Sequence, residues 1–267
     1  MLSINYLISS LNLEYKILKI KENQKFNFNN KNKAFILLSG KIISYGERDY
    51  TQLLIKNDPI GFAEAILAKE KFLKYKRLTD ITILEFRSQN IREAVNDSSI
   101  AVKALIKYSL ARIFPPSNSK RKSHYLFEDE FVFKNWKLLE TKTYNSEAII
   151  FAHGNTATSM YFIEKGKVRL ISKENKLIKV LNSGESFGEI ALLRGRRRYN
   201  SAISLGHTIL KVIKGSMISK LIDSESSLVQ LTLISLAKKL EIINGIRSID
   251  HHNKLKQEGL LHYNNMD

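Results

Sequence analysis

The sequence predicts a mainly β fold with flanking helices (α+β), built as two tandem β-rolls that are each followed by a C-terminal helix. Three observations predict it. Short alternating or β-branched runs such as "LLIKNDPIGF" and "LTDITILEF" sit between turn residues with no long helix between them, which favours a small roll or barrel over a parallel βαβ sheet. The adjacent prolines Pro115 and Pro116 open "PPSNSKRKS", a stretch with the Pro/Ser and like-charge character of a linker. A shift of about 126 positions then lays the first part of the chain on the second in one register, as a duplication would.

That register orders the elements. "AFILLSGKI" (Ala34 to Ile42) falls on "MYFIEKGKV" (Met160 to Val168), matching Gly40 with Gly166 as a turn after a strand. "DITILEF" falls near "HTILKV", with Thr82 over Thr208. The apolar helix "AVKALIKYSLARI", part of a stretch of helical period from Asn90 to Phe114, falls near "LVQLTLISLAKKL". The expected organisation is a first roll over residues 1–114, a linker over 115–127, a second roll and its helix over 128–246, and a polar tail over 247–267.

Composition bounds what such a chain can do. With 267 residues, each half is long enough to bury its own core. The absence of cysteine excludes disulfides and Cys-based zinc sites. The N-terminus "MLSINYLISSLNLEYKILKIKENQ" has no basic stretch before an apolar block and the chain has no long apolar run, so it reads as soluble and cytoplasmic, with no membrane partner. The formal net charge of +17 comes from lysines spread from end to end, as in "FNFNNKNKAF" and "IINGIRSIDHHNKLK". Such a chain-wide bias is usually a solvated surface, so specific nucleic-acid binding is not expected.

The stretch "SGESFGEIALLRGRRR" (Ser183 to Arg198) fits two chemistries. Gly184-Glu185-Ser186-Phe187-Gly188 matches the G-x-S-x-G nucleophile elbow, but an elbow needs a βαβ setting and a tight turn where Phe187 stands. His207, His251, His252 and His262 follow Ser186, yet no βαβ alternation does. Ser186 therefore reads as a turn residue or helix N-cap, His153 and His207 as turn residues, and no catalytic residue, metal or cofactor is expected. The other reading is a phosphate pocket. A short helix from Phe187 to Leu193 points unpaired N–H groups at an anion, Gly188 allows close backbone approach, Glu189 is acceptor-only, and Arg198 supplies a charged fork.

"IIFAHGNTATSMYFIEKGKVRLI" (Ile149 to Ile171) followed by "GESFGEIALLRGRRRYNSA" (Gly184 to Ala202) resembles the cyclic-nucleotide-binding domain family. Four ordered features carry the resemblance: the turn at His153-Gly154, the strand Ser159 to Phe162, the turn at Gly166, and a cassette F-G-E-x-A-L-L followed by Arg. It implies cAMP or cGMP as ligand, with cyclic dinucleotides left open. The ligand residues it implies are Gly188, Glu189 on the ribose 2′-hydroxyl, the Ala191 N–H, Arg198 on the phosphate, and Tyr199. Glu189 and Arg198 could also form a purely structural ion pair. Arg194, Arg196 and Arg197 are expected to be solvated, and Ile190, Leu192 and Leu193 to be core. Tyr199 and Asn200 stand where the family usually has small residues. In the first repeat, "DPIGFAEAILAKEKFLKYKR" keeps Phe62 and Glu64, puts Ala63 in place of the glycine, brings the arginine position near Phe72 or Leu73, and leaves Lys71 or Lys74 as substitutes. That half reads as degenerate.

Binding requires an output. The resemblance places it in the helix from about Gly215 to Ile246, whose Leu228, Leu231, Ile234, Leu236 and Leu240 form an apolar face. That face suits either a homodimer, as in catabolite activator protein-like regulators, or packing within the chain. The tail "RSIDHHNKLKQEGLLHYNNMD" is too short for the helix-turn-helix domain of those regulators. The expected role is a regulator acting through an effector protein. The alternatives are a scaffold whose rolls bind no ligand and a transcription regulator lacking a recognisable helix-turn-helix.

Overall fold

The computed structural model describes residues 3–11, 15–46, 51–71, 73–114 and 127–257, with 250–257 described by backbone alone. Residues 115–126 of the linker expected over 115–127, Phe72, and the C-terminal residues from 258 lie outside the described residues. The first half contains α1 (Ile4–Ser9), β1 (Lys16–Ile20), β2 (Lys33–Ser39), β3 (Ile42–Tyr45), β4 (Thr51–Leu54), β5 (Pro59–Ile60), α2 (Phe62–Leu67), β6 (Lys74–Arg77), β7 (Ile81–Arg87), α3 (Ser88–Asp97) and α4 (Ile100–Ile113). Its strands form a four-stranded antiparallel sheet β1-β7-β2-β5 and a three-stranded sheet β4-β3-β6. The stretch of helical period from Asn90 to Phe114 is therefore two helices, parted at Ser98 and Ser99.

A π-helical turn over Glu128–Val132 and a 3-10 turn over Phe133–Leu138 lead into the second half. There follow β8 (Glu140–Tyr144), β9 (Ile149–Phe151), β10 (Ser159–Ile171), β11 (Leu177–Asn182), β12 (Ser186–Phe187), α5 (Glu189–Arg194), β13 (Ser201–Lys214), α6 (Gly215–Asp223) and α7 (Ser227–Gln257). β10 and β13 pair along nearly their whole length in the order β11-β10-β13-β8, with β12 added to β10 and β9 to β13. Two strands that are separate pieces in the first half are thus continuous in the second. Gly40 and Gly166 mark the same bend, at φ +88° and +92°. A Cβ at Gly166 would be driven into the carbonyl oxygen of His207, and one at Gly40 into that of Asp80. Any side chain at either bend would have to break the strand crossing. His207 lies inside β13, exposed, rather than in a turn.

Each roll has its own interior, lined by Phe35, Leu37, Ile42, Ile60 and Ile83 in the first and by Ile163, Val168, Leu181, Phe187 and Leu210 in the second. The halves are joined by helices. Phe127, placed in the linker by sequence, is fully buried beside Tyr108 and stacks on Phe131 with ring centroids 5.5 Å apart.

The single helix expected over 215–246 is two, parted after Asp223, and the second runs on through 247–257 of the expected polar tail. Of the two expected uses of the apolar face of α7, the structure has packing within the chain. Leu228, Leu231 and Ile234 pack against Leu7, Ala34, Phe62 and Phe86 of the first half, while Leu233, Leu236 and Leu240 join α4, α5 and α6. The apolar face is spent inside the chain, and over residues 228–244 the other faces of α7 are buried too. Lys238 and Glu241 sit among Asp58 and Arg194, and Lys239 Nζ lies 2.8 Å from Glu64 Oε1. Burial of a helix on all sides normally needs an all-apolar surface; here ion pairs to the first half take that role.

Candidate ligand pocket

The cassette begins where β12 pairs with β10 and ends in a six-residue helix, α5. Gly188 is its N-cap, at φ +86° and ψ +4°, a left-handed conformation that turns the chain from strand into helix. A Cβ there would stand 3.0 Å from Arg198 Nη1. The glycine thus makes both the turn and the room for the arginine. Ser186 is not an N-cap: it lies in β12, buried, and its Oγ donates to Glu128 Oε1 at 2.8 Å.

Arg198 is 3% exposed. Its Nη1 donates to Gly188 O at 2.7 Å, its Nη2 to Ser159 O at 2.5 Å, and its guanidinium lies over the Phe151 ring, 4.1 Å from the centroid. Its Nε has no hydrogen-bond partner, and among the described residues no carboxylate lies in ion-pair range of it. Burial pulls its pKa below the ordinary arginine value, with Tyr161 and Glu189 opposing. A buried cation that donates to carbonyls, lies against aromatic rings and has no carboxylate in ion-pair range is an incomplete electrostatic arrangement that an anion would complete.

Glu189, 1% exposed, is not the partner of Arg198. Its Oε1 pairs with Arg112 Nη1 of α4, which is itself buried. Burial pulls the Arg112 pKa down, but Glu189 and Tyr108 outweigh it and hold it above the ordinary value. Gly188, Glu189, Ala191, Arg198 and Tyr199 line one small cavity of about 40 Å³, together with Arg112, Phe151, Leu170, Asn200 and Asn244. A larger cavity of about 280 Å³ adjoins it, sharing Tyr199, Asn200 and Asn244 and bounded by Lys173, Lys176 and Ser248. All five expected ligand residues thus converge.

Sequence reasoning missed Arg112 and Asn244, and marked Asn200 only as a departure from the family pattern. Asn200 Oδ1 and Asn244 Nδ2 are buried without hydrogen-bond partners. No local motif flags Arg112 or Asn244, because they come from α4 and α7 and reach the cassette only through packing.

The arginine run divides sharply. Arg196 and Arg197 are exposed as expected. Arg194 is not: its side chain is 5% exposed, pairs with Glu241, and lies 4.0 Å from Asp58. Tyr199 is 44% exposed at the cavity rim.

In the first half, the contacts correct the expected alignment. Gly61, at φ +80°, caps α2 as Gly188 caps α5, so Ala63 does not replace the glycine and Phe62 occupies the place of Glu189. Lys71 stands for Arg198. It donates to Lys33 O at 3.2 Å and lies 5.9 Å from the Phe35 ring centroid, as Arg198 meets Ser159 O and Tyr161. Burial lowers the Lys71 pKa to about 8. Lys74 lies exposed in β6. The remaining cavity there is only about 10 Å³ and is lined by Lys239 of α7.

Glu128 couples this region to pH. Burial raises its pKa from 4.5 to about 7, against the Ser186 hydrogen bond. The unfolded chain releases this proton first, so its contribution to stability is full below about 4.5, lost as pH rises to about 7, and level above that. At about 1.4 kcal/mol per pKa unit, the loss is ~3 kcal/mol. Glu128→Gln is expected to melt progressively higher than the unmodified protein as pH rises from 5 to 8, measured as paired thermal midpoints. A constant difference across that range would refute the burial argument.

Residues 141–225 match the family model described as Cyclic nucleotide-binding domain. The chain is 47% identical over 53 residues to the cAMP/cGMP-dependent 3',5'-cAMP/cGMP phosphodiesterase B of Dictyostelium discoideum, covering 20% of this chain and 5% of that protein. Among solved structures it is similar to the cAMP-bound form of the EAL enzyme Bd1971, at 27% identity and a TM-score of 0.37, covering 45% of this chain and 33% of that one. It is also similar to the regulatory domain of Toxoplasma gondii PKA with cAMP, at 15% identity and a TM-score of 0.32, covering 85% of each chain. The chain therefore spans only a small part of the curated relative. Over residues 141–225, this chain is therefore similar to the cyclic nucleotide-binding domain family.

Proposed function

We propose that the protein is a regulatory sensor, not an enzyme, that binds one cyclic mononucleotide, cAMP or cGMP, between the α5 cassette and α7. The observation that carries this is Arg198, a buried guanidinium with an unpaired Nε and no carboxylate, facing the same cavity as Glu189. The cyclic phosphate would neutralise Arg198 while Glu189 accepts from the ribose 2′-hydroxyl, and the base would extend toward the larger cavity beside Tyr199. The name of the Dictyostelium relative, a cAMP/cGMP-dependent protein, agrees with this ligand class.

The first half supplies no second site, because Phe62 replaces the ribose acceptor and Lys239 lines what remains of the pocket. Signalling would run through α7, which borders the ligand cavity at Asn244 and packs on the first half at Leu228 and Leu231. The output would pass to an effector protein in the cytoplasm.

Calorimetric titration of nucleotide-free protein with cAMP and cGMP is expected to give a stoichiometry near one. Two equivalent sites would show that Lys71 suffices in the first half. No heat and no thermal shift with either nucleotide would favour a scaffold without ligand.

A further inference from the structure

We infer that Arg112, a residue of the first half, is the positioning residue that makes Glu189 of the second half competent to hold a ligand's ribose. This rests on the sensor reading above. Arg112 lies in the last turn of α4, 6% exposed, and among the described residues its ion-pair partner is Glu189. Glu189 in turn has no other cation in ion-pair range among those residues. Each buried charge therefore depends on the other.

The same helix, α4, holds the cassette a second time. Tyr108, one turn earlier, donates from its hydroxyl to Ser186 O at 2.5 Å, and Arg112 Nη1 reaches that hydroxyl at 3.2 Å. The two contacts fall on either side of Gly188, while Arg198 grips the Gly188 carbonyl itself. On its far side Arg112 is tied down by α7, where Arg247 Nη2 donates to the Arg112 carbonyl at 2.9 Å. The carboxylate is thus aimed by a rod from the other half that α7 braces. Its Oε1 is committed to Arg112, so the orientation of the whole group, and with it the acceptor offered to a 2′-hydroxyl, is set by α4. Without the guanidinium, Glu189 is a buried uncompensated charge that turns to whatever donor it can reach.

The test compares cAMP with 2′-deoxy-cAMP, which cannot use Glu189. Arg112→Met is expected to weaken cAMP about tenfold or more, the range of a lost hydrogen bond to a charged group, and to change 2′-deoxy-cAMP less than threefold. Arg112→Lys, which keeps the charge, should restore most of the cAMP affinity. In a Glu189→Gln background, Arg112→Met should have no further effect on either nucleotide; this pair removes both charges and carries the test should the single variant fail to fold. Equal weakening of both nucleotides by Arg112→Met, unchanged cAMP affinity, or a further loss in the Glu189→Gln background would overturn the inference while leaving the sensor reading intact. Unmodified protein that binds neither nucleotide would overturn both.

Discussion

Replacing Arg198 by methionine is expected to weaken cAMP or cGMP binding by ~2–5 kcal/mol, roughly thirty- to several-thousandfold, by analogy with truncated buried charge pairs. The expectation follows from burial and partnership. Arg198 has already lost its water, donates to two carbonyls, lies over the Phe151 ring with Tyr161 nearby, and keeps its Nε without a hydrogen-bond partner. A bound phosphate would recover that desolvation cost, so the gain is concentrated in the complex. In the ligand-free protein the same substitution removes two hydrogen bonds but also an uncompensated cation, and the two effects offset to within about 1 kcal/mol. Titration should therefore show a large loss of affinity, and thermal denaturation without ligand a small change. Exposed Arg196 and Arg197 should each contribute about 0–1 kcal/mol to binding on replacement by alanine. Comparable losses at Arg196, Arg197 and Arg198 would mean a diffuse anion patch in place of a pocket.

Arg194→Ala should have the opposite profile, a large loss of stability. Its guanidinium joins Glu241 of α7 to Asp58 of the first half, with Lys238 3.6 Å from Asp58 and 3.3 Å from Glu241. All four side chains are buried or nearly so. Removing Arg194 leaves two buried carboxylates to share one lysine, and breaking a buried pair costs about 3–5 kcal/mol. For a chain of this size the melting midpoint should fall on the order of 10 °C, whereas Arg196→Ala and Arg197→Ala should stay within about 0.5 kcal/mol. If Arg194→Ala melts with those two, the network does not hold the halves together. Neighbours in an arginine run can therefore be placed differently: Arg194 lies between Glu241 and Asp58, Arg196 and Arg197 meet solvent, and Arg198 faces the cavity it shares with Glu189.

Local pattern carried most of the second roll. The cassette, the glycine bend at Gly166 and the strand from Ser159 each encode a backbone conformation within a few residues, so their spacing along the chain is enough to place them. Gly188, Glu189, Ala191, Arg198 and Tyr199 belong to one such segment and come together in one cavity. The first roll was less legible for a definite reason. The pair Phe62 and Glu64 imitates the cassette in sequence, but helix capping is decided by which residue tolerates the left-handed conformation, and that is Gly61.

The sequence by itself determined the fold class, the repeat and the cassette, because alternation, turn glycines and one charged fork are properties of short segments. Only the tertiary structure decided the partners of Arg112, Arg194, Lys239 and the apolar face of α7. Each depends on what lies opposite it on an element distant in the chain, across the junction of the two halves for Arg112 and Lys239 and within the second half for the Arg194–Glu241 pair. A charged residue on a helix reads as solvated until its partner is known, and here the partners lie 77, 47 and 175 positions away, at Glu189, Glu241 and Glu64 (189 − 112, 241 − 194 and 239 − 64). Pairing over such distances is set by how helices dock, and docking is governed by the buried surface of the whole assembly rather than by any local spacing.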